Sequence, residues 1–164
     1  MELQEQLFKA FEKEKNRLGF TPTFEQLDEI FFLKDHVLQE KYVSEQYSRM
    51  LCSRITQTYS SWVSYLHSFI MPNPHSFIDT NQVQAIQEKD RHNIQIYIGK
   101  LMQVIHTNTY IGIKKDAQLE KQFIDESYTL WFEFKDHILP ILEKVGEYWK
   151  QPPIVEPDDK PVYH

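Results

Sequence analysis

The side chains best suited to chemistry in this chain sit in two nearly repeated pentapeptides, KDHVL at Lys34–Leu38 and KDHIL at Lys135–Leu139. An α-helix brings residues three, four and seven apart onto one face. Glu29, His36 and Glu40 would therefore form one row on one helix, and Glu126, Glu133 and His137 another on a second. Imidazole nitrogens and carboxylate oxygens are ligands for Zn, Mn or Fe, and bundles hold such metals by projecting side chains inward from facing helices. The possible ligand set is His36, Glu40, Glu133 and His137. A metal held there would activate water or oxygen while a carboxylate moved protons. Two features oppose this reading. His36 lies away from the apolar side of its helix whereas His137 borders its own, and the spacing departs from the Glu-x-x-His pattern of di-iron bundles. Glu and His four residues apart are also ordinary favourable neighbours on a solvated helix.

Other reactive constellations are missing. There is no G-x-G-x-x-G, no Walker loop and no G-x-S-x-G, and four glycines are too few for a phosphate cradle. His75 beside Ser76 reads as turn chemistry. The single cysteine, Cys52, excludes an intramolecular disulfide and a cysteine-based zinc site, and its place in a helical pattern suits a small buried residue better than a reactive thiol. The net charge of -6 argues against nucleic acid, because phosphate contacts need concentrated Lys and Arg. Lys13, Lys15 and Arg17 instead alternate with Glu12 and Glu14. The amphipathic, charged start lacks the apolar core of a signal peptide, and no run approaches the ~20 apolar residues that span a bilayer. With cysteine so scarce, a reducing, cytoplasmic setting is expected.

The elements that would position these residues are helices. Scarce glycine and abundant Glu, Gln, Lys, Leu and Ile favour helix over turn-rich β structure. A first helix is expected over 2–18, with Leu3, Leu7, Phe8, Phe11 and Leu18 on one side and Gly19 as its stop. Thr23 should cap a second, whose face is Phe24, Leu27, Phe31 and Leu38 and whose end lies near Lys41. Ser44 could open a third helix reaching Met71, although one continuous helix through KYVSEQ is an alternative. Pro72 and Pro74 end it. Asp79 and Gln82 resemble a capping box for a fourth helix carrying Ile94, Tyr97, Ile98, Leu101 and Ile105. Its pattern breaks around HTNTYIGIKKD. Asp116 caps a last helix to about Lys150 with Phe123, Leu130, Phe134, Ile138, Ile141, Val145 and Trp149 apolar, and Pro140 predicts a kink. The expected architecture is all-α, a four- to five-helix antiparallel bundle over 1–150 followed by an extended or disordered Pro-rich tail over 151–164.

One stretch is unusual. From Ile55 to Ile78 there is no Asp, Glu, Lys or Arg. Its apolar stripe runs Tyr47, Leu51, Ile55, Tyr59, Trp62, Leu66 and Phe69, while Ser53, Gln57, Ser60, Ser61, Ser64 and Ser68 lie opposite. Such a helix is either central in the monomer, touched on both sides, or presents an uncharged interface centred on Ser60, Trp62, Ser64, His67 and Ser68. The expectation is a non-enzymatic adaptor or regulatory subunit that binds a protein partner or its own copy, without cofactor, nucleic acid or membrane. The metal-dependent bundle enzyme is the alternative.

Overall fold

Among residues 2–151, which a computed structural model describes, all the regular structure is helical. The all-α expectation holds, but there are seven α-helices in place of four or five. The expected tail lies, apart from Gln151, outside the described residues.

Local signals explain most of the boundaries. Helix α1 (Leu3–Leu18) stops at Gly19, whose φ of 79° is left-handed and whose amide donates to the Lys15 carbonyl. Helix α2 (Phe24–Phe31) opens with a reciprocal capping box: Thr23 Oγ1 accepts from the Gln26 amide, and the Gln26 side chain accepts from the Thr23 amide. It does not run on to Lys41. Phe32 adopts φ 53° and ψ 53°, and α3 (Leu33–Glu40) starts immediately after it. This break resets the helical register, so Val37 is buried and Leu38, expected in the core, is exposed. Lys41, also left-handed, ends α3, so α3 and α4 (Tyr47–Ile70) are separate helices.

The fourth expected helix is two helices and a turn. Ser76, not Asp79, caps α5 (Phe77–Gln82) by accepting from the Asp79 amide, and the Asp79 carboxylate instead accepts from the Asn73 amide. A 3-10 turn at Val83–Ala85 leads to α6 (Glu88–Lys114), opened by a reciprocal bond pattern between Gln87 and Asp90. Helix α6 continues through HTNTYIGIK, where sequence periodicity had suggested an interruption. Its inward face is Ile94, Tyr97, Leu101, Val104, Asn108 and Ile111, spaced by three and four throughout. Asn108 hides that stripe because it is polar, but its side-chain oxygen accepts from Arg49 Nη2 at 2.9 Å. Asp116 caps α7 (Ala117–Lys150) as expected, accepting from the Gln118 and Leu119 amides, and the helix runs through Pro140.

Helix α4 packs against every other α-helix, and α6 and α7 also pack on one another. On α4, Tyr47, Leu51, Ile55, Tyr59, Leu66 and Phe69 are buried, each burial contributing roughly 1.5–3 kcal/mol relative to exposure. The Tyr59 hydroxyl crosses to α7, donating to the Ser127 carbonyl at 2.6 Å. Trp62 departs from this stripe, being only half-buried, as are Leu130 and Trp149 on α7.

Candidate functional site

The structure does not assemble the His and Glu rows into one centre. Among the described residues, no group of three His, Cys, Asp or Glu side chains stands close enough to hold a metal. The break at Phe32 explains one half of this: Glu29 is on α2 while His36 and Glu40 are on α3, so seven residues no longer mean the same face. His36 and Glu40 line an open polar groove of about 370 Å³ with Tyr42, Ser44 and Arg49. The other half is engaged in surface contacts. Glu133 accepts from Lys100 Nζ and, at 3.1 Å, from the Tyr97 hydroxyl. The Lys100 contact holds the Glu133 carboxyl below its usual range, while burial and then the Glu133 bond push the Tyr97 hydroxyl up to about 12. His137 is exposed, its Nδ1 2.8 Å from the Glu133 carbonyl and its ring 5.1 Å from that of Tyr97.

The five residues singled out on the charge-free helix do not form one patch. Ser64 and His67 are exposed, Ser60 and Ser68 half-buried, and Ser53, Gln57 and Ser61 extend the same open face of α4. The close approach of a second helix, which small hydroxyl residues would permit, is not made along the exposed positions. Ser61 and Ser68 satisfy themselves locally instead, donating to the Gln57 and Tyr65 carbonyls. Trp62 is two residues from Ser64 and therefore projects from nearly the opposite side of α4, where α7 lies.

There the two helices leave an apolar groove of about 180 Å³, lined by Trp62, Trp131, Phe134, Ile138, Leu139 and Leu142, with Lys135 as its single charge. Trp62 meets Phe134 edge-on at 5.2 Å and tilts against Trp131 at 6.4 Å. Phe134 and Ile138 form the buried floor. Leu139 is 43% exposed, and Phe132, 45% exposed on the same helix, packs against Tyr128. The groove thus has neighbouring apolar side chains that project rather than sink. Reading the α7 sequence for its buried face alone misses this surface. The signal was present: Tyr128, Trp131, Phe132, Leu139 and Leu142 fall on a second apolar flank at helical spacing.

Compared with family models, curated proteins and solved structures, the chain matches none. Among the described residues no helix is long and apolar enough to cross a membrane. Function must then be inferred from what these surfaces can do. Two half-buried tryptophans around an apolar hollow suit burial against another apolar surface, the composition found at the centres of protein interfaces.

Proposed function

We propose that this protein is a non-enzymatic interaction or regulatory subunit that self-associates through α4 and α7, with Trp62 and Trp131 as anchors. The observation that carries the reading is the apolar groove between those tryptophans, rimmed by exposed Leu139. A symmetric dimer requires one patch to supply both knob and hole. Leu139 and Phe132 can be knobs for the groove of a second copy, whose own Leu139 and Phe132 return the contact. Charge favours the same location. Copies carrying a net charge of -6 repel one another, and the groove itself borders an uncharged half of α4 and is lined by a single charge, Lys135.

Sedimentation velocity over a concentration series tests the reading with three proteins. Wild type should dimerise, Leu139→Glu should remain monomeric with its helix content intact, and Ser64→Glu should dimerise like wild type. A wild-type monomer at every concentration removes self-association. A dimer lost in Ser64→Glu but kept in Leu139→Glu moves the interface to the serine face of α4.

A further inference from the structure

Between Arg91 and Lys114, α6 contains a single Asp, Glu, Lys or Arg, and that one, Lys100, turns to Glu133 on α7. The helix packs on α4 and α7 and leaves its third side bare. There Ile96, Gly99, Gln103, His106, Tyr110 and Ile113 are all exposed, at successive spacings of three, four, three, four and three. This is the seam spacing of a two-helix coiled coil. We propose that α6 pairs along this seam, antiparallel and two-fold, with α6 of a second copy, a contact separate from the one between α4 and α7.

The residues identify the occupant because the seam is complementary to itself. In an isologous pair, residue i meets residue j and j meets i. Antiparallel alignment about the midpoint of the seam sets Ile96 against Ile113, Gly99 against Tyr110 and Gln103 against His106, each twice. These pairings are an apolar layer, a hole facing a large ring, and two polar side chains that can each donate and accept. Ile113 is 81% exposed and Tyr110 50%, so both project far enough to enter a neighbour. Gly99 has no use for its missing side chain within the monomer: a Cβ there would meet nothing within 4 Å, and glycine destabilises a helix interior relative to alanine. Sliding the pair by one heptad would instead put Ile96 against His106 and leave Tyr110 and Ile113 outside the seam.

Charge agrees with this order. Copies with a net charge of -6 repel one another, yet the seam bears no charge. Antiparallel helices also oppose their dipoles. Lys114 in the last turn of one copy is brought toward Glu88 in the first turn of the other, whose side chain is 87% exposed beside Arg91. The seam is about 26 Å long at a rise of about 1.5 Å per residue, and it is one helix wide. It therefore buries well under the ~800 Å² per partner of a stable interface, and its polar middle layer costs further stability. This is the weaker of the two contacts, joining copies at concentrations above those that fill the α4–α7 dimer.

Disulfide trapping of the full chain captures such a contact. Every protein carries Leu139→Glu, so the α4–α7 contact takes no part, and Cys52 stays buried. Ile96→Cys and Ile113→Cys chains are oxidised alone and as an equal mixture, and the linked peptides are identified by mass spectrometry. The mixture should form 96–113 links about tenfold or more faster than either chain alone links to itself, because the seam holds only the unlike positions together. Adding Gly99→Glu, at an exposed position with open space, should remove that advantage with helix content unchanged. The proposal is overturned if 96–113 links form no faster than 96–96 or 113–113 links, which would leave the seam to a different protein, or if the Gly99→Glu chains link as fast as their parents. With Leu139→Glu present throughout, failure here leaves the α4–α7 dimer standing, and loss of that dimer leaves this result unaffected.

Discussion

Cys52 illustrates how burial decides reactivity at the scale of one residue. A nucleophilic cysteine needs thiolate at neutral pH, and here burial pushes the thiol up to about 12, outweighing the opposing influence of Arg49. The side chain is fully covered in the α4 core. We expect the folded protein to leave an aromatic disulfide reagent essentially unreacted at neutral pH and to react with one equivalent once denatured, as measured by absorbance. Rapid stoichiometric reaction of the folded chain would show that the α4 core opens readily. Asn108 and Glu120 carry the complementary lesson. Polar residues on an inward helical face look like interruptions in a sequence, but one is answered by Arg49 and the other is ion-paired with both Arg17 and Arg49.

At the scale of elements, the sharpest feature is the junction between α2 and α3. Phe32 holds a left-handed conformation that costs an ordinary L-residue about 1–2 kcal/mol, while its ring, 53% exposed, is about half covered and contributes roughly 1 kcal/mol by packing. Glycine removes that strain but loses up to about 1 kcal/mol through the greater freedom of the unfolded chain. For Phe32→Gly these terms nearly cancel, but against Phe32→Ala, which loses the same ring and keeps the strain, Phe32→Gly should be more stable by about 0.5 kcal/mol, seen as a higher urea midpoint with an unchanged m-value. A glycine variant no more stable than the alanine variant would mean that the left-handed backbone at position 32 carries little strain. Nothing in the spacing of Phe24, Leu27 and Phe31 announces this break, because the residue that makes it is neither Gly nor Pro. By contrast Thr23, Gly19 and Asp116 were readable as boundaries, since each acts on backbone groups within a few residues.

The whole molecule is tied at one end by a long-range ion pair. Asp90, in the first turn of α6, is 9% exposed at its side chain and accepts from Lys144 Nζ on α7 at 2.7 and 2.8 Å. Burial acts to raise its pKa, but the Gln87 amide and Lys144 together outweigh it and hold the carboxyl below its usual range. A carboxyl depressed in the folded state adds stability above its unfolded pKa of about 3.9, and that contribution fades as pH falls through the folded value. The stability advantage of wild type over Asp90→Asn should accordingly be full at neutral pH and shrink below about pH 4, as followed by denaturation at several pH values. An advantage independent of pH would assign the effect of Asp90 to packing. On the same scale, the apolar flank of α7 was readable from its spacing, but the groove was not, because it needs α4 and α7 side by side. Trp62 and Trp131 are 69 positions apart, and only their packing makes a common wall.

The sequence by itself determined that this chain is helical, where several of its helices begin and end, and which stripe of α4 is buried. Periodicity and capping act over a few residues, so they survive without knowledge of neighbours. Tertiary structure decided that α2 and α3 are separate, that the two His and Glu rows never share a site, and that Trp62 faces α7 rather than the serine face. Each of those outcomes depends on how helices distant in the chain are rotated and placed against one another, and a residue's spacing along its own helix carries no information about the surface it will meet.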